Sequence, residues 1–411
     1  MLSGTTTIRA RWVLPIDRPI IDGGWIDVSG DRIAEVGRGR PDGAAQDLGD
    51  VAILPGLVNA HTHLELSWLA GRVPPAGSIV DWIRALLHQR ATSPADETAR
   101  ASAMDAAAAE MHAAGTVLVG DISNTLTSAP ALSRAGLGGV IFHELFGFNV
   151  ADPRALVREA WARIDRLKAG TPGTLGTPGT LGTLQYSVVA HAPYSTSPAL
   201  FTEIVRQARS APLSVHLAES PQEVEFLRTG RGPFRDLLEH LGVWAPAWSA
   251  PQADPVEYMR RLGYLRPGLL AVHAVQLTDD ALARLAAAGA IVVTCPRSNE
   301  WVGAGLPRVS HFYAARVPVA IGTDSLASVP TLNLFDELEE LRRIAPDVTA
   351  ASLLDSATRQ GARALGREAE LGTIRPGKRA RLIAVTIPPG VTDVEEYLVS
   401  GVPASSVRHV P

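Results

Sequence analysis

The stretch PGLVNAHTHLE, residues 55–65, decides how this chain folds. It continues an apolar run that begins at Val51 and stops at His-Thr-His. If the run is a β-strand, its side chains alternate, so His61 and His63 point to the same side. Two imidazoles on one side of a strand can bind a single metal ion. Because His-x-His also arises by chance, a metal site is predicted only if residues further along the chain supply more ligands.

Seven more short apolar runs come after it, and segments with helical periodicity separate them. The runs are Thr116–Val119, Gly139–Phe142, Gln185–Ala190, Leu213–Val215, Leu269–Val272, Ala290–Thr294 and Val317–Ile321. The predicted helices between them include Ile79–Arg90, Ala95–Ala114, Pro153–Ala169, Ser197–Ser210, Asp279–Ala288 and Asn333–Ile344. Eight β-then-α units with continuously apolar strands predict an α/β fold, a TIM-like (β/α)8 barrel. A doubly wound open sheet is the alternative that the same pattern allows.

Both ends of the chain contain short strands that the barrel does not use. The N-terminal ones are predicted at Thr6–Leu14, Gly24–Ser29, Arg32–Val36 and Val51–Leu54. After a predicted helix, Val348–Leu365, the segment Gly372–Thr386 reads as a strand pair with its turn at Pro376-Gly377-Lys378. We therefore expect residues 1–54 plus 367–411 to form a small discontinuous β-sandwich, and residues 55–366 to form the barrel.

Two inserts interrupt the regular pattern. Thr171–Leu184 nearly repeats Thr-Pro-Gly-Thr-Leu-Gly and carries no charge, which indicates a flexible surface connection. Pro221–Pro267 is long and rich in Trp and Pro, and we expect it to form extra helices over the barrel mouth. Long loops at that position often act as lids.

Composition excludes several classes of protein. The net charge of -4 gives no electrostatic case for binding nucleic acid or a membrane surface. The single cysteine, Cys295, excludes a disulfide within the chain. Residues 1–13 contain no apolar core of signal-peptide length, and no apolar run approaches the roughly 18 residues of a membrane helix. We expect a soluble cytoplasmic protein with a small-molecule substrate, and the sequence leaves open whether it is a homodimer.

Polar residues stand where several of the apolar runs end. Besides the first pair of histidines, they are His191, His216, His273 and Asp324, after the fourth, fifth, sixth and eighth runs. A barrel brings these strand ends to one face, where barrel enzymes carry their active sites. At that face, a divalent metal ion could bind three nitrogens and one oxygen and still have room for water. The predicted ligands are His61, His63, His216 and Asp324. Each residue alone could be a hydrogen-bonded core histidine or a capping aspartate, but the four together favour a metal site.

The order His-x-His, His-x-x-Glu, His and Asp on such a barrel resembles the amidohydrolase superfamily. The matching segments are residues 55–63, 191–194, 216–219, 273, 295–299, 322–325 and 372–378. Within the superfamily, the chain is similar to the branch of guanine, cytosine, S-adenosylhomocysteine and aminodeoxyfutalosine deaminases and triazine hydrolases. Residues 59–67 look most like those of aminodeoxyfutalosine deaminases.

The resemblance also implies the number of metal ions and the catalytic roles. Binuclear relatives use a carbamylated lysine on the fourth strand, but the only lysines here are Lys168 and Lys378, and neither ends a barrel strand. One metal ion is therefore expected. Three nitrogen ligands and one oxygen ligand suit zinc best by the affinity order of divalent metals, and iron is left open. Asp324 can accept a proton from the attacking water, and Glu219 can protonate the ring nitrogen and then the leaving amine. His273, by resemblance, orients the water; the structural alternative for Glu219 is an acid in a first helical turn.

Four residues are candidates for substrate contact, each with a structural alternative. His191 resembles the substrate-contacting histidine of nucleoside-type deaminases. Glu65, on the same side as His63 if the strand continues, could bind a ribose hydroxyl or a cationic group, or form a local salt bridge. Trp82 could stack on a ring or pack in the core. Arg297 could bind a carboxylate in bidentate fashion or stay solvated.

Three functions remain open at this point. The first is metal-dependent hydrolytic deamination of an aminated purine or related ring. The second is displacement of chloride, an alkylamine or an amide from a heterocycle by the same site. The third is a non-catalytic binding protein, which the full set of ligands disfavours.

Overall fold

The computed structural model describes residues 5–41, 43–170 and 183–410. Its strands are β1 Thr5–Val13, β2 Ile21–Ser29, β3 Arg32–Arg38, β4 Gln46–Asp47, β5 Val51–Pro55, β6 Leu57–Thr62, β7 Thr116–Ser123, β8 Gly138–Leu145, β9 Leu184–Ala190, β10 Ser214–Leu217, β11 Leu270–His273, β12 Ile291–Thr294, β13 Val319–Ile321, β14 Leu382–Thr386 and β15 Val407–Val410.

The helices of the described residues lie mainly between the strands from β6 onward. They are α1 Ile79–Thr92, α2 Glu97–Ala113, α3 Ala129–Arg134, α4 Pro153–Gly170, α5 Pro198–Gln207, α6 Pro221–Thr229, α7 Pro233–His240, α8 Pro255–Arg261, α9 Asp279–Ala287, α10 Pro296–Trp301, α11 Val309–Ala314, α12 Leu334–Ile344, α13 Ala350–Asp355, α14 Gly361–Ala364 and α15 Val394–Leu398. Two 3-10 helices, Leu64–Leu69 and Ala404–Ser406, and a π-helical turn, Ser356–Gln360, complete the set. No helix in these ranges is both long enough and apolar enough to span a membrane.

The eight strands from β6 to β13 form the barrel. They make two parallel sheets, β6-β7-β8-β9 and β10-β11-β12-β13, which meet at both edges. At one seam the His216 amide donates to the His191 carbonyl oxygen (2.9 Å), and at the other the Asp324 amide donates to the His61 carbonyl oxygen (3.1 Å). Nearly every strand residue is buried, because side chains fill the interior and helices cover the outside. The prediction of a (β/α)8 barrel is confirmed.

Strands from both chain ends form one mixed sheet beside the barrel. Its order is β15-β14-β5-β1-β2-β3, with β4 paired to β1. Strand β14 runs antiparallel to β5, from Leu382 opposite Pro55 to Thr386 opposite Val51. This pairing ties the two ends of the chain together, as predicted. The limits 1–54 plus 367–411 for this part, and 55–366 for the barrel, remain our proposal.

The first apolar run is two strands rather than one. Strand β5 belongs to the end-derived sheet, and β6 is the first barrel strand, with Gly56 between them. A Cβ atom on Gly56 would lie 2.3 Å from Cγ1 of Val117 on β7. Glycine therefore permits the chain to pass from one sheet to the other against the next barrel strand.

Alanine at position 56 should lower the free energy of unfolding by about 1–3 kcal/mol, because the added methyl group overpacks this junction. Urea denaturation of Gly56→Ala would measure the loss. Gly77→Ala is the matched control, since its Cβ would meet no atom within 4 Å. The double variant Gly56→Ala/Val117→Ala should recover part of the loss; a single variant as stable as the wild type would contradict the proposed clash.

The predicted strand pair at Gly372–Thr386 is wrong in its first half. Only β14 is a strand, because the preceding turn bonds to β3 instead of folding back on β14. The Gly377 amide donates to the Ile33 carbonyl oxygen, and the Ile33 amide donates to the Lys378 carbonyl oxygen, both at 2.8 Å. The predicted helix at residues 348–365 exists, but the π-helical turn interrupts it.

The structure bears differently on the predictions for the two inserts. The repeat at Thr171–Leu184 lies outside the described residues except for its last two positions. The 221–267 insert forms α6, α7 and α8, as the prediction of extra helices requires. Residues of α7 line the cavity at the barrel mouth, so part of this insert covers the strand ends.

Candidate active site

Three imidazoles from two barrel strands converge at the barrel mouth. Nε2 of His63 lies 3.2 Å from Nε2 of His61 and 3.3 Å from Nε2 of His216. The Nδ1–H group of His216 donates to the His191 carbonyl oxygen at 2.9 Å, which leaves its Nε2 lone pair free. Ligand atoms about 2.0–2.1 Å from one tetrahedral zinc ion are about 3.4 Å apart, so this spacing fits a shared metal ion.

Asp324 contributes a carboxylate oxygen to the same centre. Its Oδ1 lies 3.5 Å from Nε2 of His63 and 3.9 Å from Nε2 of His61. The other oxygen, Oδ2, accepts a hydrogen bond of 2.5 Å from the Ser298 hydroxyl. Because Ser298 occupies Oδ2, the carboxylate is oriented with Oδ1 toward the histidines.

The strand ends reach this arrangement through unusual backbone conformations. Ala218, His273 and Asp324 have φ angles of 52°, 72° and 61°, which are uncommon for residues other than glycine. Each stands just after or at the end of a barrel strand. Such strain clusters at functional sites, where the surrounding structure holds it in place.

Burial keeps the three imidazoles neutral, which metal binding requires. Desolvation lowers the pKa of His63 and of His216 to about 4, and it lowers the pKa of His61 well below its usual value. Burial also raises the pKa of Asp324, which the hydrogen bond from Ser298 opposes. Three neutral imidazoles and a carboxylate oxygen that face one another fit a divalent cation among them.

Glu219 and His273 lie next to this centre. Oε1 of Glu219 is 3.5 Å from Nε2 of His273, and both side chains are buried. Nδ1 of His273 accepts a 2.9 Å hydrogen bond from Asn299, so its proton is on Nε2, toward Glu219. Burial, then the charges of Asp324 and Glu223, raise the pKa of Glu219 well above its usual value. This shift favours the protonated form of Glu219.

Glu223 holds the turn that presents Glu219. Its two carboxylate oxygens accept the backbone N–H groups of Ala218 and Glu219, each at 2.9 Å. Burial raises the pKa of Glu223 to about 7, and the two amide hydrogen bonds oppose that rise. Glu223 was not among the predicted site residues, although the first turn of α6, where it lies, is a recognisable position for an acid.

A cavity of about 260 Å³ opens onto these groups. Of the four predicted substrate contacts, His191 and Trp82 line it. Nδ1 of His191 is 2.6 Å from the Ser195 hydroxyl, and the ring stacks on Phe146 with centroids 4.2 Å apart. The Trp82 side chain is buried, and its Nε1 has no hydrogen-bond partner within the described residues.

The other two predicted contacts do not reach this cavity. The guanidinium of Arg297 lies 3.5 Å from buried Glu337 and 3.2 Å from the Thr331 hydroxyl. Glu65 accepts the backbone N–H groups of residues 124, 125 and 127 and the hydroxyl of Ser123. Its carboxylate therefore orders the loop after β7 and does not line the cavity at the barrel mouth.

Glutamine at position 65 should destabilise this loop by about 2 kcal/mol, because its amide nitrogen would face backbone donors. Chemical denaturation of Glu65→Gln measures the loss, with Glu35→Gln on the exposed face of β3 as the control. Metal content should not change in either variant. Equal stability of Glu65→Gln and the control would show that these hydrogen bonds do not hold the loop.

Glu144 and Asn124 are polar cavity residues that the sequence pattern did not identify. Glu144 is buried on β8, and its Oε1 lies 3.4 Å from Nδ1 of His216. Asn124 follows β7 and donates to Oε2 of Glu144 at 3.1 Å. Both stand at the carboxyl ends of barrel strands, so the same rule that selected the histidines could have identified them. Burial raises the pKa of Glu144 to about 8.

Comparisons with known proteins identify the family of this chain. The model of the amidohydrolase family matches residues 52–406. An aminodeoxyfutalosine deaminase from Deinococcus radiodurans is 32% identical, over 84% of this chain and 81% of that protein. A 5-methylthioadenosine/S-adenosylhomocysteine deaminase from Moorella thermoacetica is 31% identical, over 99% of this chain and 92% of that protein.

A solved structure is also similar. The crystal structure of an adenosine deaminase from Xanthomonas campestris with bound zinc has a TM-score of 0.79 to this chain and 26% identity, and it covers 98% of this chain and 90% of its own. The fold, the order of the strand-end residues and the family match all agree, so the chain belongs to the amidohydrolase family.

Proposed function

We propose that this protein is a hydrolytic deaminase of nucleoside-type substrates that carries one divalent metal ion, zinc. The observation that carries the proposal is the pairing of a convergent three-histidine, one-aspartate centre with Glu219, a buried acid beside it. The relatives named as deaminases and the similar zinc-bound structure support the substrate class and the metal. Among nucleosides, aminodeoxyfutalosine is our narrowest candidate.

The metal ion would be held by His61, His63, His216 and Asp324. When bound, it supplies Lewis acidity that lowers the pKa of water from about 16 toward about 7. The Oδ1 atom of Asp324 faces the same centre and can accept a proton from the attacking water.

Glu219 and His273 complete the reaction. Glu219 in its acid form gives its proton to the ring nitrogen next to the carbon under attack. It then takes the remaining proton of the added hydroxyl group and passes it to the leaving amine, and the proton held by Asp324 restores the acid form of Glu219. The Nε2–H group of His273 points to the same region and can donate to the incoming oxygen. Water adds, ammonia leaves, and a carbonyl replaces the amine.

The test is to load purified protein with zinc and to assay release of ammonia. The panel should contain adenosine, 5′-methylthioadenosine, S-adenosylhomocysteine, aminodeoxyfutalosine and guanosine, with a chlorinated triazine scored for chloride. We expect ammonia from adenine-type nucleosides, at a rate that depends on added zinc. Chloride release without ammonia from any nucleoside would overturn the proposal.

A further inference from the structure

The short helix α10 carries the residues that orient two groups of the candidate active site. Ser298 donates to Oδ2 of Asp324 at 2.5 Å, and the next residue, Asn299, donates to Nδ1 of His273 at 2.9 Å. Ser298 and Asn299 are both fully buried. Because the two donors are neighbours on one helix, a shift or rotation of α10 would displace both hydrogen bonds together.

Helix α10 needs contacts with the rest of the protein to hold its position. It spans only six residues, and the side chain of its N-cap residue, Cys295, makes no capping hydrogen bond to any described residue. Isolated helices of this length are not stable in water. At the C-terminal end, Nε1 of Trp301 donates to the Val73 carbonyl oxygen at 3.1 Å. The N-terminal end, which precedes Ser298, must be held by another contact.

That contact joins Arg297 to Glu337 of α12. Oε2 of Glu337 lies 3.4 Å from the backbone nitrogen of Arg297, and Oε1 lies 3.5 Å from Nη1 of its guanidinium. The guanidinium also donates to the carbonyl oxygen and to the hydroxyl of Thr331, at 3.4 and 3.2 Å. Both the backbone and the side chain of Arg297 therefore tie the start of α10 to α12 and to the loop before it.

The burial of Glu337 makes this pair specific. Its side chain is fully buried, and among the described residues Arg297 is the only arginine or lysine within 4.0 Å of it. Burial raises the pKa of Glu337 to about 8, and the charge of Arg297 opposes that rise. A buried ion pair is often no more stabilising than apolar residues of the same volume, so the geometry that it fixes is its more distinctive property.

We propose that the Arg297–Glu337 pair positions the active site through α10. With the start of α10 fixed, Ser298 orients the carboxylate of Asp324, and Asn299 holds the ring of His273. Arg297 is then a positioning residue instead of the substrate contact that the sequence suggested. The effect expected on turnover rests on the proposed deaminase function, whereas the effect on the His273 ring does not.

Arg297→Met should lower kcat about 10- to 100-fold at saturating zinc and change KM by less than about twofold, because the groups that it positions act on the reacting atoms. Glu337→Gln keeps the shape of the side chain and should lower kcat about tenfold. Arg297→Lys should retain more activity than Arg297→Met, since an ammonium group still neutralises Glu337. Glu340→Gln is the matched control, because it removes a pair with exposed Arg343 on the same helix, and its kcat should equal that of the wild type.

A measurement without substrate separates positioning from a general loss of stability. The hydrogen bond from Asn299 selects the Nε2–H tautomer of His273, which NMR of the imidazole nitrogens reports in isotope-labelled, metal-free protein. His273→Gln identifies the resonances. We expect a mixture of tautomers in Arg297→Met and in Glu337→Gln. Gly56→Ala, expected to lose stability away from the site, should keep the wild-type tautomer and kcat.

The inference requires both effects. A wild-type kcat or a wild-type His273 tautomer in both Arg297→Met and Glu337→Gln would overturn it, and so would equal losses in Gly56→Ala. Absence of ammonia from every nucleoside with the wild-type protein would instead overturn the proposed deaminase function. The tautomer of His273 would then decide the role of the pair by itself.

Discussion

Replacing Glu219 with glutamine should lower kcat roughly 100- to 10,000-fold while metal content and folding stay unchanged. The carboxyl group of Glu219 is buried 3.5 Å from Nε2 of His273, and burial holds its pKa well above the usual value. An amide fits the same space but can neither give a proton to the ring nitrogen nor carry one to the leaving amine. On the proposed mechanism the chemical step loses its proton carrier, whereas the four proposed metal ligands are unchanged.

The measurement is single-turnover kinetics with a nucleoside that the wild type deaminates. Glu225→Gln is the matched control, because Glu225 lies on the same helix, α6, and is exposed. Its kcat should equal that of the wild type. Full turnover by Glu219→Gln would remove Glu219 from the mechanism, and loss of metal in that variant would assign it a structural role instead.

Replacing His63 with alanine should abolish metal binding and reduce kcat/KM by more than 100-fold. Loss of a residue that only orients a ligand costs about 10- to 100-fold, and loss of the ligand itself should cost more. His63 is the most connected member of the centre, since its Nε2 lies within 3.5 Å of His61, His216 and Asp324. Without the His63 imidazole, the remaining three groups lack the donor atom that lies close to all of them.

Zinc should raise the melting temperature of the wild type, because an ion that binds only the folded state stabilises it. The same addition should leave His63→Ala unchanged. His88→Ala, at an exposed position on α1, is the control and should respond like the wild type. A His63→Ala protein that binds zinc and gains stability as the wild type does would exclude this residue as a ligand.

The barrel could be predicted from the sequence because its strands are buried on both faces. Each strand appears as a short continuous apolar run, and most of these runs end in a polar residue where side chains meet at the barrel mouth. The same logic predicted which histidines lie together, since His61, His63 and His216 all come at the ends of such runs. The first run could not be divided this way, because β5 and β6 are both fully buried and only Gly56 separates them.

The direction of a side chain beyond a strand end could not be predicted. Glu65 follows His63 by two residues, but the chain enters a 3-10 helix at Leu64, so strand alternation no longer applies. Arg297 lies in α10 and meets buried Glu337 from α12, a partner 40 residues away in the sequence. For Glu144, the sequence did predict the strand near whose end it lies. A single glutamate at a strand end matches no motif, so its place in the cavity was not predicted.

One metal ion shared by His61, His63, His216 and Asp324 would bind with a fixed stoichiometry, and measuring that stoichiometry tests this centre most directly. Metal-free protein should be titrated with zinc. Elemental analysis then measures the bound metal, and ammonia release is measured on the same samples. We predict that activity rises linearly with bound zinc and reaches its maximum at one zinc ion per chain. Activity that needs two ions per chain, or that is complete with none, would contradict the claim.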